Sequence, residues 1–123
     1  MQWTIVLPVL AVIAVFLWMK RSTQVSERDA IELLKRGALL IDVRSHSEYT
    51  SGHLPRAINM PHSEIENLLP NRVHEKRQPL LLHCHSGVRS NIALKKLQKL
   101  GYTQVFNLGS YQRATDLVRA SLG

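Results

Sequence analysis

The chain has 123 residues, enough for one compact domain with a single core but too few for two folded domains beside an apolar amino-terminal segment. Apolar residues make up 45% of it and no internal repeat or low-complexity stretch occurs, which excludes a disordered chain. Lysine and arginine outnumber aspartate and glutamate by 16 to 9, but these basic residues are scattered, so a small anion or an anionic membrane face suits the net charge of +7 better than nucleic acid.

The amino terminus is apolar and uncharged from Trp3 to Met19. As a helix this stretch would extend about 25 Å, close to the ~30 Å hydrocarbon layer of a bilayer, with the indoles of Trp3 and Trp18 at its two ends. The basic start and small exit residues of a cleaved signal peptide are absent, which favours a retained transmembrane helix. The positive charges of Lys20 and Arg21 then predict that the rest of the chain faces the cytoplasm. The expected organisation is a transmembrane anchor over residues 1–21, a linker over 22–26 and a folded domain over 27–123.

Helical and strand patterns alternate beyond the linker. Ser26 is a favourable N-cap for a helix that ends before Gly37, and the apolar runs 38–43 and 79–84 predict buried strands. The further expected elements are a helical turn at 47–50, a strand at 57–59, a helix at 63–69, a helix at 89–100, a strand at 104–107 and a helix at 111–122. This alternation predicts an α/β sandwich with a mostly parallel sheet, in which ligands bind at the carboxyl ends of the strands.

The only cysteine, Cys84, ends one of these apolar runs and is followed by a loop of small residues. A helix that begins near Arg89 would aim successive N–H groups of the loop at the sulfur, as in an anion-binding nest. The helix terminus and the guanidinium of Arg89 both favour the thiolate, so we expect the pKa of Cys84 to lie below its usual value of ~8.5. The alternative is a core cysteine at a strand end, but Gly87 and Arg89 favour a reactive thiol.

Other polar residues near the strand ends are candidates for supporting roles. Asp42 and Arg44 either brace the loop through charge-assisted hydrogen bonds or form a plain strand-end ion pair, and Ser90 is expected to support the loop. The two histidines that flank Cys84 would point to opposite sides, and the chain has no second cysteine. We therefore expect neither a metal nor a cofactor.

Three separated motifs resemble the rhodanese-like sulfurtransferases over roughly residues 26–120. The loop Cys84-His-Ser-Gly-Val-Arg89 is similar to the active-site loop of that family, which often has the form Cys-x-x-Gly-x-Arg. The upstream signature is matched by Asp42-Val43-Arg44, Glu48-Tyr49 and Gly52-His53-Leu54-Pro55-x-Ala57-Ile58-Asn59-x-Pro61. The closing strand is matched by Gly101-Tyr102, Val105 and Asn107-Leu108-Gly109. At Ser110 the chain departs from the second glycine that many members have.

The resemblance implies a rhodanese-like three-layer α/β sandwich and a two-step sulfur transfer. Cys84 would be the catalytic residue, whose thiolate takes the outer sulfur of a small anionic donor such as thiosulfate. The resulting persulfide would pass this sulfur to cyanide, a thiol or a protein acceptor. The residues expected to bind the anionic sulfur, through backbone N–H groups and the charge of the arginine, are His85, Ser86, Gly87, Val88 and Arg89.

Two rival functions remain open at this point. Some cysteine-dependent phosphatases share this fold, but their loop has five residues between cysteine and arginine, whereas only four separate Cys84 from Arg89. A tighter ring suits a single sulfur atom better than three phosphate oxygens. The second rival is a noncatalytic, membrane-tethered binding module; because inactive relatives usually lack the cysteine, its presence here favours an enzyme.

Overall fold

The fold is described from a computed structural model, which covers residues 2–22 and 24–123. The helices are α1 (Trp3–Ser22), α2 (Glu27–Lys35), α3 (His46–Ser51), α4 (Ile65–Arg72), α5 (Val88–Lys99) and α6 (Tyr111–Ser121). The strands are β1 (Leu39–Asp42), β2 (Ile58–Asn59), β3 (Leu80–His83) and β4 (Val105–Gly109). The strand order is β2-β1-β3-β4, and every pairing is parallel. The predicted parallel α/β architecture is therefore confirmed.

Successive side chains of a strand point to opposite sides of the sheet, so a continuous apolar run makes both faces apolar. Helices cover both of these faces. Leu80 and Leu82 of β3 belong to one core cluster, together with buried residues of α4 and α5. Leu81 belongs to the second cluster, which contains buried residues of α2 and α6. The result is the predicted three-layer sandwich, with two cores separated by one sheet.

Local sequence signals set most element boundaries. The hydroxyl of Ser26 accepts a hydrogen bond from the Asp29 N–H at 3.2 Å and caps α2, as predicted. The expected stop at Gly37 is also observed, where the chain adopts a φ of 90°. Helix α4, in contrast, continues through Pro70 to Arg72 instead of ending before the proline. The proline cannot donate to the carbonyl of Glu66, and that residue is exposed.

Helix α1 contains the apolar amino-terminal segment, and its large side chains from Trp3 to Trp18 are exposed. Within residues 2–22 and 24–123 we find no helix that is both long enough and apolar enough to span a membrane. The predicted transmembrane anchor is thus not supported by the structure. The cytoplasmic orientation depended on that anchor and stays a prediction. The expected linker is partly attached to the domain, because the Val25 N–H donates to the Asn107 carbonyl of β4 at 3.0 Å.

Candidate active site

The candidate site lies where the parallel strands end at one edge of the sheet. Cys84 follows β3 directly, and residues 85–87 connect it to α5. The turn after β4 holds this loop in place. The Cys84 N–H donates to the Gly109 carbonyl at 3.2 Å, the Tyr111 N–H donates to the His85 carbonyl at 3.1 Å, and Ser86 pairs with Ser110 in an antiparallel bridge. The strand ends and the β4–α6 turn therefore determine the shape of the loop.

Gly87 gives the loop its sharp turn into α5. It has a φ of 96° and a ψ of −9°, in the left-handed region that residues with a Cβ rarely adopt. A Cβ at this position would also lie 3.2 Å from the Cα of Gly109. Glycine is thus required both by the backbone conformation and by the close approach of the two chain segments.

The sulfur of Cys84 accepts hydrogen bonds from the inside of this turn. The Gly87 N–H donates to Sγ at 2.9 Å and the Ser90 N–H donates at 3.4 Å. The hydroxyl of Ser90 lies 3.5 Å from Sγ. Val88 and Arg89 occupy the same first turn of α5, where N–H groups have no acceptor within the helix. The loop is consequently a backbone nest that favours an anion.

These contacts lower the pKa of Cys84 below its ordinary value. Burial is the largest single influence and raises the pKa, because it disfavours the charged thiolate. Hydrogen bonds from the Ser90 hydroxyl and from the N–H groups of Ser90, Gly87 and Ser86 lower it and together outweigh burial. The predicted direction of the shift is thus what the geometry produces, with Ser90 contributing more than the sequence suggested.

Cys84 itself has no exposed surface, although the loop around it is open to solvent. His85, Ser86 and Val88 are exposed, whereas Gly87 is buried. The thiol therefore belongs to the buried core cluster, next to a loop whose residues are mostly exposed. Polar N–H groups, rather than apolar side chains alone, surround the sulfur on the loop side.

Ser90 belongs to a buried network that reaches β4. Its hydroxyl lies 2.6 Å from Oδ1 of Asn107 and 3.0 Å from the Gly87 carbonyl. Asn107 also accepts from the Gly109 N–H at 2.8 Å and donates from Nδ2 to the Gly87 carbonyl at 3.3 Å. One buried amide therefore links the loop, the first turn of α5 and the end of β4.

Arg89, which was expected to supply charge to the donor, pairs with Glu48 in this structure. Its two terminal nitrogens donate to the two carboxylate oxygens of Glu48 at 2.6 and 3.0 Å. This guanidinium, together with hydrogen bonds from Ser45, lowers the pKa of Glu48 to about 2 against the opposing influence of burial. Glu48 also closes the capping box of α3 with Ser45. Arg89 consequently connects the loop to α3, with its positive charge balanced by a carboxylate.

Asp42 and Arg44 form a bidentate pair, with Nε and Nη2 of Arg44 donating at 2.8–3.0 Å to the two carboxylate oxygens. Arg44 also donates to the Gly52 carbonyl at 2.7 Å and lies 4.6 Å from the centre of the Tyr111 ring. The pair therefore joins β1 to the end of α3 and the start of α6. The sequence left two interpretations of these residues open, and the structure shows a strand-end ion pair.

His83 lies behind the site and is fully buried. Its Nε2 lies 3.8 Å from a carboxylate oxygen of Asp42 and has no hydrogen-bond partner within the described part of the chain. Burial lowers the pKa of His83, the nearby Asp42 charge opposes this, and the neutral ring is favoured. Within residues 2–22 and 24–123, no three His, Cys, Asp or Glu side chains come together in a geometry that could hold a metal ion.

The structure brings the candidate loop residues and Ser90 together around one sulfur. His85 and Val88 are exposed, whereas Asp42 and Arg44 are buried at the end of β1. Sequence reasoning placed Glu48 and Asn107 within the matched motifs but gave neither residue a role in the site. The capping-box spacing from Ser45 to Glu48 was a local signal for a role of Glu48 at the start of α3. The contacts of Asn107 had no local signal, because they depend on β4 lying beside β3.

Comparison with known proteins agrees with this geometry. Residues 26–114 match the rhodanese-like domain family. The chain belongs to this family. One relative of this rhodanese-like chain, the uncharacterized protein YqhL of Bacillus subtilis, is 30% identical over 115 residues, which cover 91% of this chain and 88% of YqhL.

Two further relatives of this rhodanese-like chain have a stated activity in their names. The thiosulfate sulfurtransferase PspE of Escherichia coli is 35% identical over 69 residues, which cover 56% of this chain and 66% of PspE. The solved structure of the human single-domain sulfurtransferase TSTD1 is 30% identical, with a TM-score of 0.65, and the match covers 76% of this chain and 96% of that one. Rhodanese-like relatives of this chain thus include sulfurtransferases.

Proposed function

We propose that this protein is a sulfurtransferase that carries sulfur as a persulfide on Cys84. The observation that carries the proposal is the position of Sγ, which accepts hydrogen bonds from the Gly87 and Ser90 N–H groups inside a rhodanese-like loop. These hydrogen bonds favour the thiolate and fix its direction, as a nucleophile for sulfur transfer requires.

The first step is attack of the Cys84 thiolate on the outer sulfur of a donor such as thiosulfate. A bond forms between Sγ and that sulfur, the sulfur–sulfur bond of thiosulfate breaks, and sulfite leaves with the bonding electron pair. The outer persulfide sulfur extends beyond Sγ and carries negative charge. We assign the N–H groups of Val88 and Arg89, in the first turn of α5, as its donors.

The second step is attack of an acceptor thiolate or cyanide on the outer persulfide sulfur. The bond to Sγ breaks and its electron pair returns to Cys84, which regenerates the thiolate. No oxidant or reductant is consumed in the cycle. The same hydrogen bonds that lower the pKa of Cys84 make its thiolate a good leaving group in this step.

Intact mass of the full chain after brief thiosulfate treatment tests the proposal. We expect a gain of one sulfur atom in the wild type, loss of that sulfur on addition of cyanide, and no gain in Cys84→Ser. An unmodified wild type would refute the proposal. If that protein then hydrolysed an aryl phosphate in a Cys84-dependent reaction, the phosphatase alternative would replace it, and if it did neither, the noncatalytic module would.

A further inference from the structure

One face of α5 begins at the candidate active site and projects into solvent. This face, which we term the α5 stripe, consists of Val88, Ile92, Lys95 and Lys99. At about 100° per residue the four positions fall within an arc of roughly 60°. The buried residues Ala93 and Leu97 lie on the opposite side of the helix, against the sheet. The stripe is therefore the part of α5 that points most directly away from the core.

The α5 stripe runs outward from the reactive sulfur. Val88 directly follows Gly87, whose N–H donates to Sγ. At a rise of 1.5 Å per residue, Lys99 lies about 16 Å farther along the helix axis. A protein that presents a thiol to the Cys84 loop from this side covers the stripe with the surface next to that thiol.

The stripe changes character along its length. The two residues of the stripe nearest the loop are apolar: Val88 is 52% exposed and Ile92 is 43% exposed. Its far end is cationic, and helix α5 contains no aspartate or glutamate. Neither lysine of the stripe forms an ion pair with any residue that the structure describes, whereas the neighbouring Lys96 lies 3.6 Å from Glu66.

The two lysines of the stripe are also four residues apart on the same helix face. Like charges at this spacing repel each other and disfavour the helix. Carboxylates supplied by another molecule would remove that repulsion. Apolar contact beside the reactive group, with complementary charge at the periphery, is the usual composition of a protein interface.

We propose that the α5 stripe is the docking surface for a protein sulfur acceptor that has an acidic surface next to its reactive cysteine. The inference rests on the proposed function and extends it to the class of acceptor. An apolar side chain of the acceptor packs on Val88 and Ile92, and its carboxylates pair with Lys95 and Lys99. In this position the acceptor thiolate attacks the outer sulfur of the persulfide, and the electron pair of the broken bond returns to Sγ of Cys84.

Two synthetic peptides test the inference as acceptors. Both contain one cysteine and one leucine; one has glutamates downstream, and the other has glutamines at the same positions. The full chain is first converted to the persulfide with thiosulfate and verified by intact mass, and the rate of sulfur loss to each peptide is then measured. We expect the glutamate peptide to react about tenfold faster at low ionic strength and this preference to disappear in high salt.

Charge reversal on the helix gives the decisive comparison. The double variant Lys95→Glu with Lys99→Glu should lose or invert the preference for the acidic peptide. The matched control is Arg28→Glu with Lys35→Glu, which makes the same charge change at exposed positions of α2, on the other face of the sheet. The control should keep the preference. In Ile92→Ser, transfer to both peptides should slow by a similar factor while the preference remains.

Each other result overturns the inference. An equal loss of the preference in the α5 double variant and in its control would show that only net charge matters. An equal retention of the preference in both would show that the stripe does not bind the acidic peptide. Loss of binding to phosphatidylserine vesicles in the α5 double variant, with peptide preference unchanged, would assign the lysines to a lipid surface instead. Failure of the wild type to form the persulfide would refute the proposed function itself, and this is seen before any peptide is added.

Discussion

Removal of the Ser90 hydroxyl separates its contribution to the thiolate from that of the backbone. Ser90→Ala deletes the Oγ that lies 3.5 Å from Sγ but retains the Ser90 N–H, which donates at 3.4 Å, and the Gly87 N–H. A hydrogen bond to a charged group contributes about 1.5–3 kcal/mol. This free energy is the upper limit on how far loss of the hydroxyl can raise the pKa of Cys84.

We expect the pKa of Cys84 to rise in the variant, by an amount at the lower end of this free-energy range. The contact at 3.5 Å is long, and the same hydroxyl proton also has Asn107 Oδ1 at 2.6 Å and the Gly87 carbonyl at 3.0 Å as acceptors. While it donates to either oxygen, it does not donate to the sulfur. The hydroxyl must turn toward Sγ when the thiolate forms, and this rotation reduces its net contribution.

The assay is the rate of Cys84 alkylation by iodoacetamide between pH 5 and 10, followed by intact mass. Because the chain has one cysteine, the inflection of the profile reports Cys84 alone. The control is Ser86→Ala, since Ser86 influences the pKa of Cys84 through its N–H, which alanine retains. An unchanged inflection in Ser90→Ala, or an equal rise in Ser86→Ala, would refute the assigned role of the hydroxyl.

Three further substitutions test other parts of the site. Gly87→Ala should abolish persulfide formation and lower the free energy of unfolding, measured by urea titration, by about 1–2 kcal/mol, because Gly87 has a φ of 96°. Persulfide formation at the wild-type level in this variant would contradict the role of the turn. Glu48→Gln should cost about 1 kcal/mol or less at neutral pH, since the Arg89 pair is partly exposed. Because the pKa of Glu48 is lowered to about 2 from an ordinary 4.5, the wild type should lose that contribution as pH falls from 4.5 toward 2, and an identical acid profile in the variant would contradict it. In the wild type, stability should fall below pH 6.5, because the unfolded chain binds a proton at His83 that the buried ring resists. His83→Gln should reduce the slope of this loss by at most about 1.4 kcal/mol per pH unit. Parallel stability curves for variant and wild type would show that His83 binds its proton equally well in the folded and unfolded chain.

The reactive loop could be predicted because its signals are local. Cys84, Gly87 and Arg89 are close in sequence, and each has a distinct chemical reason to lie between a buried strand and a helix. The succession of strands and helices along the chain was also predictable from periodicity, and the predicted boundaries lie within a few residues of the observed ones. Ser90 was predicted to support the loop, but the direct contacts of its hydroxyl and its N–H with the sulfur were not predicted.

The partners of these residues were not predictable, because they come from distant parts of the chain. Arg89 meets Glu48 across 41 positions, and Ser90 meets Asn107 across 17. Both contacts depend on which strands are neighbours, which periodicity does not specify. Pro70 illustrates the opposite error, because the local signal predicted the end of the helix, whereas α4 continues through the proline to Arg72.

The charge balance of the site follows from these distant partners. The Arg89 guanidinium is paired with Glu48 and that of Arg44 with Asp42, so each of these arginines has a carboxylate partner. The thiolate is therefore stabilised mainly by backbone dipoles and one hydroxyl. In the proposed cycle, such a nest would hold negative charge on Sγ in the thiolate and on the outer sulfur in the persulfide, with the charge of Arg89 balanced by Glu48. A carrier that must first accept sulfur and then release it benefits from this weaker, directional stabilisation.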